Sequence, residues 1–299
     1  MKRVSLFFAL AVCCIAGCSE VEGIDPNQPT PEPEKIPIRL KSDISLKATD
    51  TSYEVGDQIG VYVVNYVNGK SGALANAGNH IDNTKFTYDG TMWNSEKEVY
   101  WKDQTTPADF YCYYPYVNVV GDVTAIQFST QENQSELSGY KNSDVLYGKT
   151  MGAKPSVDPV TIVTNHAMSN VIIYVVPGKG YTEETLAAED IKVYITGVKT
   201  KASLNLVTGK VTSSGEPKNI IPLRENGYWR ALVVPQDITG TKIIEVKVGS
   251  NVYSLNQTIT FASNKQHKCT LKVNKIGEGV NITIGGWETD DNDFGGTLE

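Results

Sequence analysis

The chain is poor in the residues that most catalytic and metal chemistry requires. Its 299 residues include three histidines, His80, His166 and His267, far apart and without the ligand spacing of a zinc site. Beyond residue 18 only Cys112 and Cys269 remain, which excludes a scaffold stapled by disulfides. Positive charge is outweighed: 27 Lys and Arg face 34 Asp and Glu for a net charge of −7, so the footprint of a nucleic-acid binder is missing. No G-x-S-x-G, Walker loop, G-x-G-x-x-G or H-E-x-x-H occurs, and nucleophilic, phosphoryl-transfer, dinucleotide and zinc-protease chemistry lose their usual signatures. Segments with a helical period are almost absent as well, which removes bundle and α/β classes.

A few features of these scarce types invite a functional reading and are met by a simpler one. A glycosidase needs two carboxylates at a defined separation, and 34 acids give no basis for picking a pair. Asp290, Asp291 and Asp293 precede Gly295-Gly296, but the spaced oxygen ligands of a calcium loop are not there, and a solvated acidic tail is expected. His166 lies between two strand-like runs and is expected to serve as a structural hydrogen-bonding group. No catalytic residue, metal ligand or cofactor is therefore assigned, and the chain is read as a non-enzyme. Cys112 and Cys269 would pair only with α-carbons about 6 Å apart, and nothing in the sequence supports that.

The first eighteen residues carry a strong signal. Lys2 and Arg3 precede an uncharged, largely apolar stretch from Val4 to Gly17, the form of a secretory n-region and h-region that is too short to span a bilayer. It ends in Ile15-Ala16-Gly17-Cys18, which resembles a bacterial lipobox. Residues 1–17 are then a lipoprotein signal peptide, and Cys18 is the lipidated site, where acyl chains of the palmitate kind each add about 0.8 kcal/mol of membrane affinity per buried methylene. An ordinary signal peptide is the alternative. Cleavage takes Lys2 and Arg3 and no acid, so the exported chain is more acidic than its precursor. Residues 18–35 hold Pro26, Pro29, Pro31 and Pro33, a density that gives an extended, semi-rigid spacer. Its acids, Glu20, Glu22 and Asp25, suit either a surface-export signal or a plain solvated linker.

From residue 36 the chain is a succession of runs of four to eight β-branched and aromatic residues, broken by Gly, Asn, Asp and Pro. Turn chemistry predicts hairpins at Asp89-Gly90, Thr208-Gly209 and Gly249-Ser250. In Ile244-Glu245-Val246-Lys247-Val248 charge alternates with apolar side chains, the pattern of a strand with one wet face, whereas Val171 to Val176 lacks alternation and reads as buried on both faces. One short helix is expected at Thr182 to Ala188, with Thr182 as cap and Glu183 and Glu184 at the positive end of the dipole. About fifteen strands exceed one seven-stranded sandwich, so two domains are expected, with the boundary in the Gly- and Pro-containing stretch 150–159. Trp93, Trp101, Tyr113, Tyr114 and Tyr116 cluster in the first half; they fit a core, or alternatively a platform on which sugars stack.

Several segments, in order, resemble the Bacteroides-type fimbrillin family of lipoprotein pilus subunits. Glu54-Val55-Gly56-Asp57-Gln58-Ile59-Gly60-Val61-Tyr62 is similar to its "GD-x-IGV" strand and Tyr113-Tyr114-Pro115-Tyr116 to its "YYPY" element. Asp144-Val145-Leu146-Tyr147-Gly148 resembles "D-LLYG/A", and Asn165-His166-Ala167-Met168-Ser169-Asn170-Val171 resembles "F-x-H-x-(L/M)-S-x-V" without the aromatic residue before the histidine. Val233-Val234-Pro235-Gln236 and Ile284-Gly285-Gly286-Trp287 resemble "L-V-P-Q" and "I-x-x-W".

The resemblance implies an all-β protein of two tandem transthyretin-like Greek-key β-sandwich domains behind a lipidated N-terminal linker, residues 36–158 and 159–299, the second ending in a polar tail. It implies a structural or accessory subunit of a surface fimbria in cell adhesion, held in the outer membrane by its lipid. Assembly with other fimbrial subunits would proceed by β-strand addition after N-terminal proteolysis, with host or bacterial surface ligands as further partners. Processing in the family often follows an arginine; here Lys47 stands at the matching place and Arg39 lies upstream, so an Arg-only protease would not cut at Lys47. The polar stretch from Glu288 onward lacks the alternation of a strong donor strand. A non-polymerising surface lipoprotein that binds glycans through the aromatics above is the alternative.

Overall fold

The computed structural model of the chain describes residues 34–43, 53–276 and 279–293, the last span by its backbone. In chain order the first part holds β1 (Leu40–Asp43), β2 (Gln58–Asn65), β3 (Ile81–Tyr88), β4 (Trp93–Ser95), β5 (Ala108–Tyr114), β6 (Ile126–Ser129), α1 (Leu137–Lys141), β7 (Leu146–Ala153) and β8 (Val160–His166). The second part follows with β9 (Ser169–Pro177), α2 (Glu183–Ala187), β10 (Ile191–Leu204), β11 (Val211–Ile220), β12 (Leu223–Arg224) and β13 (Tyr228–Val233). It ends with β14 (Gln236–Val248), β15 (Asn251–Phe261), β16 (Lys265–Ile276) and β17 (Gly279–Asp293). The molecule is thus almost entirely β, as its periodicity predicts. The described residues from Lys35 onward form one compact unit.

Seven strands of the first part run β1-β4-β3-β2-β5-β7-β8 and close on themselves. Two facing sheets were the expectation; here β1, parallel to β8 and antiparallel to β4, joins the two edges into one circuit. Alternate residues of β2 point inward, and Ile59, Val61 and Val63 meet Phe86, Trp101, Phe110 and Ile162 in a single apolar core. Because β8 pairs with β7 and β1, the change from one assembly to the next falls after His166. The expected boundary at 158/159 sits before that strand, since the Gly- and Pro-containing stretch marks only the β7–β8 loop.

The second part packs the sheet β11-β10-β14-β15 against β12-β13-β9-β16-β17. Ile244, Val246 and Val248 are buried while Glu245 and Lys247 emerge, as their alternation requires. Val171, Ile172 and Ile173 are all buried, as an unbroken apolar run implies, whereas Tyr174 to Val176 surface partly. The predicted hairpins are present as the β3–β4, β10–β11 and β14–β15 connections. The predicted helix is α2, where the Thr182 hydroxyl accepts the Thr185 N–H at 3.2 Å and Glu183 and Glu184 fill the first turn. The polar end is more ordered than a tail: the backbone of β17 pairs with β16 as far as Asp293, with Glu288 opposite Lys268 and Asp293 opposite Lys265.

The two assemblies interlock. β6, which belongs to the first part by sequence, pairs antiparallel with β10 from Ser129↔Lys201 to Ile126↔Leu204. A third core lies between the assemblies and takes Tyr62, Tyr111 and Tyr113 from the outer face of the barrel and Met168, Leu204 and Leu232 from the other side. Gln134, fully buried, donates to the Leu232 carbonyl and accepts the Leu232 N–H, both at 2.9 Å. Arg230 is buried beside it, with its guanidinium 4.5 Å from the Tyr140 ring centroid and 2.6 Å from Glu225. At the turn after β10, Gly209 has φ +75° and lies where a Cβ would strike the Tyr147 ring, so that hairpin seats directly on β7.

His267 on β16 gives the fold a pH dependence. It is fully buried, it accepts the Ala262 N–H on Nε2 at 3.3 Å, and burial pulls its pKa down to about 4. The unfolded chain takes up this proton near pH 6.5 while the folded chain resists it. Stability is therefore complete above the unfolded value and falls as pH drops from about 6.5 toward 4, by about 3 kcal/mol in all. Urea midpoints measured from pH 7 to pH 4 should show this decline, and His267→Gln should flatten it; an unchanged slope in the variant would assign the decline to other groups.

Candidate functional site

The N-terminal segment from Ile36 to Asp43 is built into the barrel as a strand held on both sides. On one side the Ile38 N–H donates to the Val99 carbonyl and the Trp101 N–H donates to the Ile36 carbonyl, both at 2.9 Å, with Pro37 opposite Tyr100 and Leu40 opposite Trp93. On the other side the Val160 N–H donates to the Arg39 carbonyl at 2.8 Å, and Leu40 to Asp43 run in register with Val160 to Val163. Alternation decides which side chains enter: Ile38 and Leu40 are buried in the barrel core and Ile36 packs partly against it, while Arg39 and Lys41 point outward and are exposed. Burying Ile38 and Leu40 contributes about 3–6 kcal/mol. Withdrawing the segment would leave an apolar slot lined by Trp93, Val99, Trp101, Val160 and Ile162, with unpaired backbone groups on both walls. A cleft of about 550 Å³ lined by Lys35, His80, Tyr100 and Trp101 lies beside the start of the segment.

The sequence-predicted residues separate cleanly. Cys18 and Lys47 lie outside the described residues. Arg39 sits at the mouth of β1 with an exposed side chain and a carbonyl bonded to β8. Trp93 and Trp101 are 3% and 4% exposed and Tyr113 is fully buried, which corrects the sugar-platform reading for these three: their faces are covered by core neighbours. Tyr53 meets Trp93 edge-on at 4.7 Å and Phe110 meets Trp101 at 5.4 Å, while the Tyr113 hydroxyl donates to Asn83 at 2.6 Å, with burial raising its pKa. Tyr114 and Tyr116 are partly exposed; the first donates to Asp57 at 3.3 Å and the second to Asn118 at 3.3 Å. Cys112 and Cys269 are free and buried in separate cores, and burial pushes both thiols up to about 12, which makes them poor nucleophiles. In the irregular wall of the slot, sequence reasoning singled out Trp101 only as a core or sugar-platform aromatic and missed Val99 and Tyr100, where the local signal is one apolar residue on each side of Tyr100.

A family model described as fimbrillin-like matches residues 47–287. The chain belongs to the fimbrillin-like family. A curated Bacteroides uniformis protein, provisionally named fimbrium subunit Fim1C, is 26% identical over 96% of this chain and 96% of its own length. Two crystal structures share the fold: a protein from Bacteroides uniformis, 20% identical with a TM-score of 0.64 over 85% of this chain and 97% of its own, and one from Bacteroides ovatus, 19% identical with a TM-score of 0.64 over 89% and 99%. Both are titled as provisional cell adhesion proteins.

The segments that resemble fimbrillins have identifiable work in this fold. Asp57 closes the turn into β2 by accepting the Glu54 N–H at 2.7 Å, and Gly60 is placed where any Cβ would strike the Tyr113 ring. Asp144 and His166, each 5% exposed, are joined at 2.8 Å between Nδ1 and Oδ1, the structural role expected of this histidine. Gln236 accepts the Lys199 N–H and donates to the Lys199 carbonyl, both at 2.9 Å, so its amide fills the gap along β10 between β14 and β6. In the last segment the register slips between Ile284↔Leu271 and Gly286↔Thr270, which leaves Gly285 as one of two irregularities of β17.

Proposed function

We propose that this fimbrillin-like chain is a structural or accessory subunit of a surface fimbria in cell adhesion, without catalytic activity. It is exported as a lipoprotein anchored to the outer membrane through Cys18, and it joins neighbouring subunits by β-strand addition once the N-terminal segment is cut away. Arg39 and Lys47 are the candidate processing positions, and surface ligands of host or bacterial cells are the partners of the assembled fiber. The observation that carries this reading is the double-sided seating of residues 36–43. A strand that supplies main-chain hydrogen bonds to both neighbours and two side chains to the core leaves, on removal, a slot shaped for another strand.

The test is mass analysis of material sheared from the cell surface. Polymers whose subunits lack residues 18 to about 47 are expected, together with a diacylated Cys18 on the unprocessed precursor. Recovery of full-length lipidated monomer alone would remove polymerisation by this chain.

A further inference from the structure

Two polar groups in the wall of the slot are unsatisfied. Trp93 and Trp101 are 3% and 4% exposed, and among the described residues neither indole N–H has a hydrogen-bond partner. Buried donors in native structures are nearly always paired, so two orphans in one wall require an explanation. Their neighbours are rings: Tyr53 and Tyr88 around Trp93, and Phe110 beside Trp101, whose faces are weak acceptors at best. The resident segment does not help. Leu40 stands directly opposite Trp93, and the Trp101 N–H to Ile36 carbonyl bond with Pro37 opposite Tyr100 sets Ile36 across from Trp101. Directly opposed side chains of an antiparallel pair share a face with their Cβ atoms about 5 Å apart. Both residues facing the indoles are hydrocarbon and offer no acceptor.

We propose that Trp93 and Trp101 select the strand that replaces the N-terminal segment, and that this strand, from another fimbrial subunit, carries hydrogen-bond acceptor side chains at the two positions now held by Ile36 and Leu40. The proposal rests on the strand-replacement reading given above. Its partner signature is an acceptor, an outward residue, an apolar residue in place of Ile38, an outward residue and a second acceptor. The pattern reads the same in both chain directions, so it holds whether the incoming strand runs parallel or antiparallel to β8. It also gives replacement a direction. The resident strand fills the volume of the slot but leaves two donors unpaired, and an acceptor-bearing strand fills the same volume and pairs them.

The experiment uses the chain from residue 18 to 299 with a specific protease site in place of residues 44–50. After cleavage it is offered labelled peptides of residues 35–43 in three forms: the resident sequence, Ile36→Thr with Leu40→Thr, and Ile36→Gln with Leu40→Gln. At least one acceptor-bearing peptide is expected to bind about tenfold more tightly than the resident sequence, with downfield shifts of both indole N–H signals in nitrogen-15 spectra. In a chain carrying Trp93→Phe and Trp101→Phe, checked for folding by its thermal melt, the resident peptide should bind as before and the preference should vanish. Entry of the resident peptide without any preference, or a preference that survives the two Phe substitutions, overturns the selection while leaving strand replacement intact. If no peptide enters, strand replacement itself fails and the selection falls with it.

Discussion

Leu40→Asp is expected to lower the stability of the chain by about 5 kcal/mol and to release the N-terminal segment from the barrel. Leu40 is fully buried and is paired on one side with Trp93 and on the other with Val160. Truncating such a leucine costs about 2–5 kcal/mol through lost burial and the cavity left behind. A charged carboxylate in the same place, shorter than leucine and unlike a neutral acceptor, adds a desolvation cost that a single indole N–H does not offset. The consequence is local first, because β1 is four residues long and its loss opens the circuit between β4 and β8 without touching the second assembly. Urea unfolding should show the lower midpoint, and limited proteolysis should cut at Arg39 and Lys41 faster than in the native chain. Lys41→Ala, one residue along but exposed, should stay within about 0.5 kcal/mol of the native value. Equal stability of the Leu40→Asp and native chains would mean that the segment does not close the barrel.

What could be read from the sequence was local. The three hairpins rest on residues adjacent in the chain, and α2 on a cap and the two acids that follow it, so each was legible without knowing the fold. The closure of the barrel was not, because Leu40 and Val160 are 120 residues apart and nothing in either run specifies the other. The same holds for β6: Ile126 to Ser129 reads as a strand, but its partner lies beyond five intervening elements on β10. The aromatic cluster shows the limit most clearly. Trp93, Trp101 and Tyr113 have a composition that fits a core and a sugar platform equally, and only the strands packed over them decide. The family-like segments were legible as a pattern before their physics was visible. Gly148 is an example, since a Cβ there would lie 2.2 Å from the Val163 carbonyl across the β7–β8 pair, a constraint set by a strand fifteen residues away.

Gln134→Ala is expected to cost about 4 kcal/mol, although Gln134 lies in no strand and in neither helix. Its amide occupies the outer edge of β13 as a strand would, donating to the Leu232 carbonyl and accepting the Leu232 N–H. The same amide also donates to the Gln131 carbonyl at 3.1 Å. Each bond contributes about 1 kcal/mol, and leaving the buried Leu232 groups unpaired adds about 1–3 kcal/mol for each. Neighbouring main-chain bonds keep this plug in place: the Gln134 N–H donates to Ile221 and the Ile221 N–H donates to Glu132, both at 2.8 Å. The plug belongs to the connection between β6 and α1, so it ties the first assembly to a sheet of the second, in parallel with the β6–β10 ladder and the shared core. For a domain of this size the substitution should lower the melting temperature by about 8–16 °C. Gln134→Glu should be as damaging at neutral pH, because a carboxylate accepts from the Leu232 N–H but meets the Leu232 carbonyl oxygen without a proton to offer it. A melting temperature unchanged in both variants would show that the edge of β13 needs no plug. A loss confined to Gln134→Ala would show instead that filling the space, rather than pairing the backbone, is what Gln134 contributes.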